Sequence, residues 1–161
     1  MKTLAVAAAI ALGFAGTATA EVIRHTTPGS TFPILRAVEI PPDATLVYLS
    51  GVVPGVTNEA VAPNTPEAFG NTEAQTVSVL NRITANLTDL GLTMGDVVKM
   101  QVYLVADDSG AMDFQGFMDG YVQFFGTDAQ PNLPTRSVFE VAGLANPNWL
   151  VEIEVVAVRS E

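Results

Sequence analysis

The closing stretch PTRSVFEVAGLANPNWLVEIEVVAVRSE constrains the fold more than any other part of the chain. Between Leu150 and Val158, Val151, Ile153 and Val155 fall on one face of a period-two repeat and Glu152 and Glu154 on the other. A strand with one apolar face needs a sheet with a core on that side. The preceding apolar run, Ser137 to Leu144, reads as its partner across the turn Ala145-Asn146-Pro147-Asn148, giving a closing hairpin that Arg136 opens. Periodicity by itself makes the two glutamates solvent-facing and Arg136 a surface residue.

Upstream, Ile34 to Ile40 and Leu46 to Val53 read as strands separated by the turn Pro41-Pro42-Asp43. A proline- and asparagine-rich loop follows. Thr72-Glu73-Ala74-Gln75 has the form of a capping box. After it, Val77, Leu80, Ile83, Leu87 and Leu90 recur at helical spacing until Gly91. Val98, Met100, Val102 and Leu104 share one face of a strand over about Val97 to Val105. Ser109 or Asp113 caps a second helix with the stripe Phe114, Phe117, Tyr121 and Phe124, which reads as core. The order β-β-α-β-α-β-β predicts an α+β fold, a mixed sheet with two helices on one face. No element is left to cover the other face, so a second copy of the chain is expected there.

Residues 1–20, MKTLAVAAAIALGFAGTATA, have the form of a secretory signal: Lys2, an apolar run from Leu4 to Phe14, and Ala18-Thr19-Ala20 as a cleavage site. The expectation is a periplasmic or secreted protein with a single domain over 21–161 and no membrane attachment once the signal is removed. The chain has no cysteine, which removes disulfides, thiol nucleophiles and thiolate metal sites. Its net charge of −10 disfavours nucleic acid and anionic lipid surfaces. Five arginines against two lysines make each arginine a candidate for binding a carboxylate, which its planar fork suits.

Few other residues offer chemistry. His25 is the only histidine and is read as a solvated residue near the mature N-terminus. No serine sits in a hydrolase elbow and no glycine-rich phosphate loop occurs. Asn86-Leu87-Thr88 matches a glycosylation acceptor but falls inside the first helix.

Pro134-Thr135-Arg136-Ser137-Val138, followed by Val151-Glu152-Ile153-Glu154-Val155-Val156-Ala157-Val158, resembles the closing signature of the Rid family of enamine/imine deaminases. The similarity extends to Leu49-Ser50-Gly51-Val52-Val53-Pro54, to Leu90-Gly91-Leu92 through Asp96-Val97-Val98-Lys99, and to Tyr121 with Phe124-Phe125. The resemblance implies a chorismate-mutase-like fold, a homotrimer and clefts between subunits. It also implies roles. Arg136 would bind the substrate carboxylate, with Ser137 and the backbone of Val138 beside it. Glu152 would hold or activate the attacking water, and Glu154 would be structural. The implied reaction hydrolyses small 2-imino acids to 2-oxo acids and ammonia with no metal or cofactor, since an imine is already electrophilic.

The chain departs from the family pattern in three places. Pro33-Ile34-Leu35 stands where a tyrosine is usual, Val138 where a cysteine is frequent, and Met118 where an asparagine is frequent. The expected cleft is therefore more apolar. Two other functions use the same trimer: a binder of small carboxylates without turnover, and a holdase-like interaction protein.

Overall fold

A computed structural model describes residues 21–159. The export signal read from residues 1–20 lies outside the described residues. In chain order the elements are β1 (Ile23–His25), β2 (Ala37–Glu39), β3 (Thr45–Tyr48), α1 (Pro66–Phe69), α2 (Thr72–Asp89), a 3-10 turn (Met94–Asp96), β4 (Val97–Val105), α3 (Phe114–Tyr121), β5 (Thr135–Val141) and β6 (Val151–Arg159). The result is the expected α+β arrangement, a mixed sheet with α2 and α3 on one face.

The sheet order is β3-β6-β4-β5, and this overturns the closing hairpin. β5 and β6 do not pair: β5 runs parallel to β4, and β6 runs antiparallel to β4 on its other side. Parallel neighbours need a crossover, which α3 supplies between β4 and β5. The connection 142–150 then carries the chain past β4, so β6 is buried between β3 and β4. There its apolar face is covered along its whole length, and Val151, Ile153 and Ala157 are fully buried. The first strand pair also differs from expectation. β2 pairs with β1 in a separate two-stranded sheet, whereas β3 joins β6.

Side chains of β1 and β2 have partners that sequence periodicity does not show. His25 lies in β1 and its Nε2 is 2.7 Å from Glu39 Oε1 on β2, so it is a strand residue with a partner. Beside it, Arg24 donates to the carbonyls of Val97 (3.1 Å), Leu133 (2.8 Å) and Gly95 (2.8 Å), clasping the N-terminal strand to the start of β4.

The core lies between the sheet and the two helices. α2 contributes Val79, Leu80, Ile83 and Leu87, α3 contributes Phe117 and Tyr121, and β4 contributes Met100, Val102 and Leu104. Each such burial stabilises by about 1.5–3 kcal/mol. The α2 stripe is shifted from the expected one: Val79 is buried in place of Val77, and Leu90 is exposed. The cap is shifted too. Asn71, not Thr72, is the N-cap, accepting from the Ala74 amide at 3.0 Å. Gln75 is free for a tertiary role and is fully buried. Its amide donates to Gly70 O and Asn148 O and accepts from the Leu150 amide, tying α2 to the start of β6. Asp113 caps α3 by accepting from the Gly116 amide. Gly120 lets α3 lie close to α2, since a Cβ there would come within 2.8 Å of Thr76.

Candidate active site

Arg136 sits on β5, the edge strand, in register with Met100 of β4. Paired residues share a face, so Arg136 points to the helix side, under α3. Its guanidinium carbon lies 4.3 Å from the Tyr121 ring centre, 5.0 Å from Phe117 and 5.6 Å from Phe32. Nη2 is 3.1 Å from Met118 Sδ. Nη1 is buried with no hydrogen-bond partner.

No carboxylate faces this cation among the described residues. Ring faces stabilise a guanidinium by about 0.5–2 kcal/mol each, yet they accept none of its N–H bonds. Burial pulls the Arg136 pKa below its ordinary value, with the neighbouring Tyr121 opposing the shift. Burial likewise pushes the Tyr121 phenol up to about 12. Its hydroxyl therefore stays protonated and donates to Pro33 O at 2.9 Å. The arrangement is a dry cation with spare donors. A carboxylate reaching its edge gains charge-assisted bonds worth about 1.5–3 kcal/mol each.

Glu152 and Glu154 lie on the other side of the sheet, opposite Tyr103 and Gln101 of β4. The two acids have different surroundings. Tyr103 donates to Glu154 Oε2 at 3.2 Å and accepts from Gln101 Nε2 at 2.9 Å, while its ring stacks on Phe139. Desolvation, together with the Glu154 carboxylate, raises the Tyr103 pKa. Glu154 is thus committed to a side-chain network. Glu152 has no side-chain hydrogen bond among the described residues, and its carboxylate lies against Gly51. A Cβ at Gly51 would overlap Glu152 Oε1 where it now sits, so any other residue there would push the carboxylate aside.

The structure does not bring Arg136 and Glu152 of one chain together. They lie on opposite faces, two strands apart across the sheet and three residue rows apart along it. Each of those offsets is about 10 Å. Ser137 points to the open face, away from the Arg136 side chain, whereas Val138 shares the face of Arg136. A groove of about 400 Å³ on the open face takes in Tyr48, Gln101 and Glu154 but neither Arg136 nor Glu152.

Sequence reasoning missed Phe32, the thioether contact of Met118 to Arg136, and the seat that Gly51 provides for Glu152. Phe32 carried no periodic signal, lying in an irregular segment before Pro33. Gly51 was visible as part of Leu49-Ser50-Gly51, but its partner is about a hundred residues away and only strand pairing reveals it.

Comparison with known proteins decides the family. The endoribonuclease L-PSP family matches residues 35–159. The chain belongs to that family. TdcF of Escherichia coli is 33% identical over 133 residues, covering 83% of this chain and 92% of TdcF. The 2-iminobutanoate/2-iminopropanoate deaminase of Escherichia coli is 30% identical over 132 residues, covering 82% and 91%. The crystal structure of Escherichia coli TdcF with bound serine superposes with a TM-score of 0.56 at 32% identity, over 85% of this chain and 94% of that one. These relatives bear out the Rid-family resemblance and the fold it implied.

Proposed function

We propose that the protein hydrolyses reactive 2-imino and enamine acids to 2-oxo acids and ammonia. The observation that carries this reading is Arg136, a partly buried guanidinium whose buried Nη1 has no partner and which faces no carboxylate among the described residues. Leaving such a donor unpaired costs about 1–3 kcal/mol unless a ligand completes it. An anchored 2-imino acid presents its C2 carbon at a fixed distance from its carboxylate. Glu152 takes a proton from water as the water oxygen bonds to C2 and the C=N pair moves to nitrogen. That proton passes to the nitrogen, giving a carbinolamine. The carbinolamine hydroxyl then yields its own proton, which Glu152 relays to the nitrogen, as the oxygen's electrons form C=O and the C–N pair leaves with nitrogen as ammonia. Positioned proton transfer of this kind contributes about 10² to 10⁴ in rate.

Several observations favour Glu152 over Glu154 as the reacting acid, above all that Glu154 is held by Tyr103. The family relatives support the reaction class, one of them being a deaminase of 2-imino acids by name. The family's description as an endoribonuclease fits this chain less well. A net charge of −10 repels a polyphosphate, and the one histidine is engaged with Glu39.

Because Arg136 and Glu152 of one chain face opposite ways, the working site is read as composite. The β5 edge of one subunit supplies Arg136, and the open face of a neighbour supplies Glu152, within a homotrimer. That assembly also covers Leu46, Tyr48 and Phe139, all exposed on this chain. With export directed by residues 1–20, the substrates would be imines arising outside the cytoplasm, for example from amino-acid oxidases.

The test generates 2-iminopropanoate with an amino-acid oxidase while semicarbazide competes for it. Less semicarbazone with the wild type, restored by Arg136→Ala, supports the reading. Tight 2-oxo acid binding with no turnover would leave a carboxylate binder instead. Mixing Arg136→Ala with Glu152→Gln under subunit exchange should recover about a quarter of wild-type activity, since each composite site draws on two chains. No recovery would place both residues in one chain's site and overturn the composite geometry.

A further inference from the structure

Three walls of the Arg136 box belong to α3 and are part of the core: Phe117 and Tyr121 are 0% exposed and Met118 is 8% exposed. The fourth wall is Phe32, which is 46% exposed and lies outside any helix or strand. Its amide donates to Ser30 Oγ, a neighbour in the same loop. The chain is fastened just after it, where Pro33 O accepts from Tyr121 and the Leu35 amide donates to Pro134 O. The Phe32 ring is therefore held only by packing. Nη1 is buried, and of the four walls around the guanidinium Phe32 is the one whose movement leaves the core intact.

We propose that Phe32 is the specificity-determining wall of the Arg136 pocket, swinging aside to admit a carboxylate and closing its ring onto the ligand's substituent. This rests on the reading of Arg136 as the carboxylate anchor and names the substrate class. Beyond Arg136 the box offers Phe32, Phe117, Tyr121 and Met118, and no second cation among the described residues. An apolar substituent gains contact there, whereas a second carboxylate would be buried without a partner. The pocket accordingly takes 2-imino acids with apolar side chains, such as those from alanine or leucine, and refuses the one from glutamate.

Two measurements on the purified protein separate the wall from the anchor. The first follows modification of Arg136 by phenylglyoxal, read by peptide mass, in wild type and Phe32→Ala. The variant is expected to modify Arg136 roughly tenfold faster while the exposed Arg82 keeps its rate. An unchanged Arg136 rate overturns the movable wall whatever the ligand is. The second compares kcat and KM for imines generated from alanine, leucine and glutamate. Phe32→Ala should raise KM for the leucine-derived imine about tenfold with kcat within about twofold, and change the alanine-derived imine little. Phe32→Leu should restore part of the difference. Equal effects on all imines, or a wild type that accepts the glutamate-derived imine as readily, overturn the specificity role. If the wild type binds no 2-oxo acid while Phe32→Ala still unmasks Arg136, the anchor reading has failed. The specificity role then falls with it, and the movable wall stands.

Discussion

The two faces of the sheet treat charge in opposite ways. On the helix side, Arg136 sits among three aromatic rings and a thioether with a buried donor left unpaired. On the open side, Gln101, Tyr103 and Glu154 satisfy one another in a chain of hydrogen bonds, and Glu152 is the carboxylate outside it, with no side-chain hydrogen bond among the described residues. Polar groups that serve the fold are closed into networks, because an open one is costly in a dry interior. Open groups do occur elsewhere, since Thr72 Oγ1 and Trp149 Nε1 are also buried without a partner, but Arg136 and Glu152 are the open charges, and on the proposed function a ligand and a water would complete them.

The comparison breaks most sharply at the two glutamates. Glu152→Gln is expected to lower turnover by about 10² to 10⁴ with 2-oxo acid binding retained, measured by single-turnover imine hydrolysis. Gly51→Ala, which pushes the carboxylate aside, should lose activity in the same direction but less. Equal losses from Glu152→Gln and Glu154→Gln would erase the distinction between a free and a committed acid.

Next in size is the dryness of the helix side. The Tyr121 phenol, raised from 10 to about 12 by burial, keeps in the fold a proton that the unfolded chain releases earlier. Its contribution to stability is present below pH 10 and lost as pH rises towards 12. Two pKa units correspond to about 2–3 kcal/mol. Urea midpoints at pH 9 and 11 should therefore fall, with the fall reduced in Tyr121→Phe. A Tyr121→Phe protein that loses stability just as steeply would show that this phenol is not the group responsible.

Arg136→Met sharpens the comparison from the other direction. Replacing an unpaired buried cation by an apolar side chain should raise stability by about 1–2 kcal/mol while abolishing carboxylate binding, read by thermal melting and calorimetry. A lower melting temperature would mean that the ring contacts outweigh the missing bonds. The smallest effect belongs to the closed network, where Glu154→Gln should cost about 1 kcal/mol or less and leave turnover within about threefold. A larger loss of turnover would move Glu154 into the site.

Much of the secondary structure was legible. The ranges of β4 and β6 and the bulk of α2 follow from apolar spacing, and Asp113 was named as a possible cap of α3. Shifts of one or two residues arose where a polar residue does tertiary work: Gln75 looked like a capping partner but holds the start of β6, and Asn71 caps instead. The false hairpin had a readable warning, since the connection 142–150 is longer than the loops that join most hairpin strands. Of the site, Arg136 and Glu152 were named from family resemblance, but Phe32 and the Gly51 seat were not, because no local pattern marks them.

By itself the sequence determined the elements, which face of each is apolar, and which cation and which acids were candidates. The elements and their apolar faces follow from side-chain spacing along a backbone of fixed period, a local property, whereas the cation and the acids were picked out by resemblance to a family. Only the tertiary structure decided that β4 lies between β5 and β6, and hence that Arg136 and Glu152 face away from each other. Strand pairing joins residues far apart in the chain, and a strand with one apolar face can be buried beside several neighbours equally well. The crossover through α3 and the space under it select one of them, and that choice sets which charge is left without a partner.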